Sequence, residues 1–304
     1  MAMEAIVFEE FGGPEVLKAA TVPEVHAGPG QVRLRVAAIG VNPIDSKIRG
    51  GLMKEAFPTV LPAVPGLDVA GVVDEVGEGV TGFAVGDEVL GWAEGGAYAE
   101  YAVAREVVLK PAELPWEQAA ALPIAGRTAH RVLGELELAK GETLLVNGAA
   151  GSVGSMAVQL AVARGAKVIG TASAANHAFL RELGAIPVVY GEGLVRRVRE
   201  VAPEGVDAVF DVAGRGALPD SIELRGGTTD RVITVGDYAA AEHGVTYSVG
   251  ATEVPMQVLA EQARLAAEGA LRVRVAEVLP LAQAVKAHEI SDGGHARGKV
   301  VLLP

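Results

Sequence analysis

Residues 144–173 read LLVNGAAGSVGSMAVQLAVARGAKVIGTAS, and this stretch decides the fold. Leu144, Leu145 and Val146 form a short apolar run that meets a turn of small residues. A helix-forming segment follows and closes at Gly165, and Val168 and Ile169 open a second β-branched run. Strand, turn, helix and strand in that order make one βαβ unit of the length a parallel crossover needs. The turn places Ala149, Gly151 and Gly154 at the offsets of G-x-G-x-x-G, with Ala149 in the place of the first glycine. A glycine at 151 lets backbone approach a pyrophosphate, and one at 154 lets helix pack closely on strand. The amide groups of Ala150, Gly151, Ser152, Val153 and Gly154 then face the phosphates at the helix N-terminus. The pattern therefore points to a dinucleotide.

The end of the second strand indicates which dinucleotide. A carboxylate there would accept hydrogen bonds from the adenosine ribose and repel a 2′-phosphate. This chain has Thr171-Ala172-Ser173, with no carboxylate before Glu182. Ser173 donates to phosphate, His177 lies one helical turn on, and Arg181 a turn later. The chemistry favours NADP(H) over NAD(H).

The 304 residues, half of them apolar, suffice for a large core and two domains. With 26 basic against 38 acidic residues the net charge is −12, which argues against nucleic acid or an acidic membrane surface as partner. Cysteine is absent, so disulfides and thiolate-bound zinc are excluded. The first residues lack a basic flank before a long apolar core, and no uncharged run is long enough to span a bilayer. The expectation is a cytoplasmic protein.

Around the central unit, Glu4–Phe8 reads as a strand, and Gln31–Ile39 alternates apolar Val32, Leu34 and Val36 with Arg33 and Arg35, the mark of a half-buried strand. Then comes Gly40-Val41-Asn42-Pro43-Ile44-Asp45-Ser46-Lys47. A helical turn from Pro43 projects Asn42 and Asp45 to one side, where they cap and support a helix or serve a site. Residues 65–89 carry short β-branched runs broken by glycine, the pattern of a compact, bent β domain. Tyr98 and Tyr101 lie near its end, and tyrosines at that spacing usually pack. The alanine-rich segment 119–133, interrupted by Pro123 and Gly126, reads as a hinge whose Thr128 reaches a cofactor. Beyond the central unit, strands are expected at 186–190, 206–211, 231–235 and 245–249. Repeated βα units predict a parallel sheet covered on both faces, with ligands at the carboxyl ends of its strands. Val212, Val235 and Gly236 sit at two such ends, where a nicotinamide is expected. Residues 253–268 read as a helix, and 272–278 and 299–303 as strands returning to the first domain.

The order of these motifs resembles the medium-chain dehydrogenase/reductase superfamily in its zinc-free quinone oxidoreductase branch, across nearly the whole chain. The residues that carry the likeness are 40–45, Pro65-Gly66 with Val69-Ala70-Gly71, Val76-Gly77-Glu78-Gly79-Val80, Gly86-Asp87-Glu88-Val89, 148–154, and the closing Gly298-Lys299-Val300-Val301-Leu302. The resemblance implies an α/β fold: a central Rossmann parallel sheet, residues 123–270, plus a GroES-like, mainly β catalytic domain formed by both chain ends, residues 1–122 and 271–304. It implies NADP(H) in the cleft between them, a homodimer, and hydride transfer to a quinone or other conjugated carbonyl compound. Such an acceptor delocalises the arriving charge onto an oxygen, so hydrogen-bond donors can stabilise it without a Lewis acid. By resemblance Asn42 is the expected donor. Asp45, read as an exposed and ionised carboxylate, positions the helix or a water, and Lys47 is a further candidate contact to substrate.

Zinc-dependent relatives put a cysteine where this chain has Asn42 and a histidine where it has Leu67, beside Asp68, so no metal is expected. Quinone oxidoreductases often carry a tyrosine at the place of Lys47 and a lysine against the 2′-phosphate at the place of His177. Tyr190 matches a tyrosine lining that phosphate site. Two other readings stand beside this one. One is an enone or enoyl double-bond reductase, whose medium-chain enoyl-thioester form would use a tyrosine proton donor near Leu52, where none occurs; the other is a non-enzymatic NADPH-binding sensor or structural protein, which would bind without turnover.

Overall fold

The computed structural model describes residues 1–250, 252–294 and 296–304. The chain forms two units, Met1–Ile124 with Pro255–Pro304, and Ala125–Val254. In the first, β1 (Ala2–Val7) pairs antiparallel with β2 (Lys18–Pro23). The alternation predicted from Gln31 onward produces β3 (Val32–Val41), with Val32, Leu34 and Val36 buried and Arg35 exposed. Strands β4 (Asp68–Val76), β5 (Glu88–Glu94) and β6 (Tyr101–Leu109) follow as an antiparallel series. β6 returns to pair with the first half of β3, Val32 facing Ala104 and Arg35 facing Tyr101. Four strands thus close on one another and leave no edge between β3 and β6; register shifts in β3, β4 and β5 supply the bend.

Helix α1 (Pro43–Arg49) leaves β3 directly. Pro43 is pre-set for its first turn, Asp45 faces the positive end of the helix dipole, and Lys47 and Arg49 the negative end. After α2 (Trp116–Ala121), α3 (Pro123–Glu135) begins at the expected proline but runs unbroken through Gly126. The expected interruption there does not occur, because one glycine in a helix interior costs only about 1 kcal/mol, too little to end it.

The second unit carries β7 (Thr143–Asn147), α4 (Ser152–Ala163), β8 (Lys167–Thr171), α5 (His177–Glu182), β9 (Ile186–Val188), α6 (Leu194–Val201), β10 (Ala208–Asp211), α7 (Leu218–Leu224), β11 (Val232–Thr234) and β12 (Thr246–Tyr247). The strands lie in the order β12-β11-β10-β7-β8-β9, every pair parallel. Leu144, Leu145, Val146, Ile169, Val209 and Phe210 are fully buried, as continuous apolar runs in a sheet covered on both faces must be. Strand order reverses between β7 and β10, and open α/β sheets bind ligands outside the carboxyl ends of the strands at such a switch point.

The chain then returns to the first unit through α8 (Met256–Ala267), β13 (Val275–Pro280), α9 (Ala284–Gly293) and β14 (Lys299–Leu303). The units divide at 124/125 and 254/255, against 122/123 and 270/271 expected from sequence. Helix α8 accounts for the second difference: it packs against β6, burying Leu259, Ala263 and Ala266. β14 lies parallel to β13 and antiparallel to β3, with Val300 facing Val41. That register sets Lys299 beside Asn42. Among the described residues no helix is long and apolar enough to cross a membrane.

Candidate active site and nucleotide turn

In the second unit four neighbouring strands end level with one another on buried polar residues. Asn147 faces Thr171 on one side and Asp211 on the other, and Asp211 faces Thr234. All four are 2 % exposed or less, although strand ends are ordinarily wet. Asn147 Nδ2 donates to Ser221 Oγ at 3.0 Å, and Thr234 Oγ1 donates to Asp211 Oδ2 at 2.7 Å. Burial raises the pKa of Asp211 above the ordinary carboxylate range, against the hydrogen bonds from Thr234 and the Gly214 amide. This polar row anchors the loops that begin one residue later, at Gly148, Ala172, Val212 and Val235.

The first of these loops is the small-residue turn. Gly148 has φ +79°, and its amide donates to Thr171 Oγ1 at 3.1 Å. The left-handed residue is therefore Gly148, one place before the fingerprint, which is why alanine is acceptable at 149. Gly154 sits hard against the turn, since a Cβ there would lie 2.2 Å from Gly148 O. At Gly151 a Cβ would meet only Gly148 O, at 3.5 Å, so the space above it is open. No side chain caps α4. The amides of Ser152, Val153 and Gly154 thus lack intrahelical acceptors beside an open glycine, which suits a pyrophosphate.

Ser173 and Tyr190 each lie two residues beyond the paired Thr171 and Val188, in the loops that leave the neighbouring strands β8 and β9. Ser173 Oγ accepts from Asn176 Nδ2 at 3.1 Å and keeps its proton to donate. His177 Nε2 lies 3.4 Å from Ala172 O. The strand expected to reach Tyr190 ends at Val188, and Tyr190 is 53 % exposed. Val212, Val235 and Gly236 are half-buried in adjoining loops, held by bonds from Val212 N to Asn147 O and from Gly236 N to Thr234 Oγ1. Thr128 is half-buried in α3.

In the first unit, the residues around Asn42 form a buried charged cluster. Lys299 Nζ donates to Asn42 Oδ1 at 2.5 Å and to Asp68 Oδ2 at 2.7 Å. Asn42 Nδ2 donates to Asp68 Oδ2 at 3.0 Å and to Gly40 O at 3.2 Å, and Asp68 Oδ1 accepts from the Ile124 amide. An ammonium on one side and a carboxylate on the other fix the orientation of the Asn42 amide. Both its hydrogens are engaged inside the protein. The expectation that Asn42 presents its amide to an acceptor is therefore corrected: it joins Lys299 to Asp68.

Asp45 is also not the exposed carboxylate expected. It is 1 % exposed; Oδ2 accepts from the Asn42 amide at 2.9 Å and from Tyr98 Oη at 3.3 Å, while Oδ1 has no partner. Burial pushes its pKa up to about 7, with the nearby Asp68 charge adding to the rise. Tyr98, fully buried, also meets His288 Nε2 at 3.0 Å, and Arg49 Nη1 donates to His288 Nδ1 at 2.6 Å. Lys47 lies half-buried on α1. Tyr98, expected only to pack, is thus a polar partner, and nothing in the sequence pointed to His288 or Arg49. A histidine 190 positions from its tyrosine leaves no local signal.

These donors do not fit a zinc ion. Leu67 offers none, Asn42 is neutral and committed, and Asp68 is neutralised by Lys299. Among the described residues no group of three His, Cys, Asp or Glu is placed to hold a metal.

Residues 28–113 match the family described as "Alcohol dehydrogenase GroES-like domain", and residues 183–302 that described as "Zinc-binding dehydrogenase". The chain is 36 % identical to a quinone oxidoreductase of Lama guanicoe over 331 aligned positions, covering 99 % of this chain and 97 % of the relative. The chain belongs to the quinone oxidoreductase branch of the medium-chain dehydrogenase/reductase superfamily. It is an oxidoreductase. The solved quinone oxidoreductase of Coxiella burnetii superposes with a TM-score of 0.88 at 32 % identity, covering all of both chains. A mycobacterial protein of the same fold, solved in complex with NADPH, gives 0.85 at 30 % identity over 99 % of this chain and 100 % of that one.

Proposed function

We propose that this enzyme reduces a quinone or another conjugated carbonyl compound with NADPH, and does so without zinc. The observation that carries the cofactor reading is the end of β8: Thr171-Ala172-Ser173 offers hydroxyls and no carboxylate, and Tyr190 lies in the loop that leaves the neighbouring strand β9. NADPH, when bound, supplies the hydride. Ala150, Gly151, Ser152, Val153 and Gly154 hold its pyrophosphate, Ser173, His177 and Tyr190 its adenosine phosphate, and Val212, Val235 and Gly236 with Thr128 its nicotinamide end.

On the catalytic side, Lys299, Asp68 and Asn42 form a fixed electrostatic unit that orients the start of α1. Asp45 holds a proton near neutral pH in the same helix, and Lys47 is the candidate contact to the acceptor. The acceptor's remaining proton comes from water. The enzyme acts as a homodimer on a small-molecule substrate in the cytoplasm.

Titrating NADPH and NADH against the protein tests the cofactor reading. NADPH binds more tightly, and His177→Ala weakens NADPH more than NADH. Equal affinities in the unaltered protein contradict it.

A further inference from the structure

One side chain holds the loop that follows β9. Arg197, in the first turn of α6, donates from Nε to Val189 O at 2.9 Å, from Nη2 to Tyr190 O at 3.3 Å and Gly191 O at 2.9 Å, and from Nη1 to Glu192 O at 2.8 Å. Four consecutive carbonyls converge on one planar guanidinium, which engages four of its five N–H donors. Among the described residues no carboxylate pairs with Arg197. Carbonyl dipoles satisfy its hydrogen bonds and leave its unit charge in place. The chain has therefore tied a cation with no paired carboxylate to the loop that carries Tyr190, which leaves β9 two residues past Val188 as Ser173 leaves β8 two residues past its partner Thr171.

We propose that Arg197 is a specificity-determining positioning residue: it fixes the 189–192 loop that leaves β9, the strand next to the β8 end that leads into Ser173 and His177, and its charge favours a dinucleotide phosphorylated on the adenosine ribose. This rests on the nucleotide reading of the 148–154 turn. The geometry explains why the residue is arginine. A planar fork reaches carbonyls arranged around it in an arc, whereas a lysine ammonium is a point charge with three donors on a flexible stem. An extra phosphate brings negative charge to this corner, and a bare ribose hydroxyl brings none, so the cation discriminates between the two cofactors. Arg181, the arginine singled out by position in the sequence, is exposed on α5.

The test is calorimetric titration of NADPH and NADH against the full chain and against Arg197→Met and Arg197→Lys, at low salt. Arg197→Met weakens NADPH by about tenfold or more and leaves NADH within about twofold, because only the phosphorylated cofactor loses an electrostatic partner. Arg197→Lys falls between, since it keeps charge but not the fork. A simple loss of structure moves both cofactors together, and that result overturns the proposal. So does an unchanged NADPH-to-NADH ratio in Arg197→Met, or wild-type NADPH affinity in Arg197→Lys. Should Arg197→Met fail to fold, the lysine variant decides alone by the same ratio. If the unaltered protein shows no preference for NADPH, the cofactor reading falls first and this inference with it.

Discussion

Tyr98 Oη lies 3.0 Å from His288 Nε2, joining a residue of the first unit's N-terminal half to a helix formed by the last part of the chain. Arg49 always donates, so its contact with His288 Nδ1 makes that nitrogen the acceptor and leaves the proton on Nε2. The direction of the chain follows: Arg49 donates to His288, His288 to Tyr98, and Tyr98 to Asp45. Burial, with the Arg49 charge adding, holds His288 down to about 4, consistent with a neutral ring. Burial and the neighbouring Asp45 carboxyl push the Tyr98 phenol well above its ordinary range.

Tyr98→Phe removes the middle of this chain and leaves the His288 Nε2–H buried without an acceptor. We expect a loss of about 1–3 kcal/mol in stability. Chemical denaturation checks this; an unchanged midpoint contradicts the described chain.

The pH dependence of that stability has a definite sign. Asp45 has a folded-state pKa of about 7, above its unfolded value near 3.8. Its protonated form is the one the fold favours, so its contribution is fully present below about pH 4 and is lost as pH rises through 7. Asp45→Asn mimics the protonated carboxyl. Stability of the variant relative to the unaltered protein therefore improves as pH rises from about 4 to about 7 and levels off above 7. His288 titrates in the opposite sense in both proteins: its depressed pKa makes stability fall between about pH 6.5 and 4. A pH-independent difference between Asp45→Asn and the parent counts against a buried, proton-holding Asp45.

Much of this was legible in the sequence, and the rest was not, for physical reasons. The βαβ unit declared itself because a parallel strand buried on both faces must be continuously apolar and a phosphate turn must be small. Lys299 was visible as part of a closing motif, yet its partners depend on β14 pairing with β3, a contact between residues more than 250 positions apart. Asp45 was misread because a carboxylate one turn into a polar-flanked helix looks solvated; only the tertiary fold places Tyr98 over it. Arg197 sits among arginines on an amphipathic helix, where nothing local separates a loop-holding guanidinium from a solvated one.

Lys299→Met leaves the Asp68 carboxylate buried without its cation, a loss of about 3–5 kcal/mol. The double variant Lys299→Met with Asp68→Asn removes the orphaned charge and recovers more than half of that loss. Denaturation curves for the three proteins check the coupling. Strict additivity of the two single substitutions would mean that the pair does not act as a unit.

The central claim is metal-free reduction of a conjugated carbonyl acceptor by NADPH. Single-turnover reaction of 4-deuterated NADPH with a quinone and with an enone, in chelator and with metal content measured, tests it most directly. The expected result is turnover without stoichiometric zinc. Deuterium at the β-carbon of the enone marks double-bond reduction, and hydroquinone with label lost to solvent marks quinone reduction. Cofactor binding with no oxidation by either acceptor, or activity that chelator abolishes and zinc restores, would contradict it.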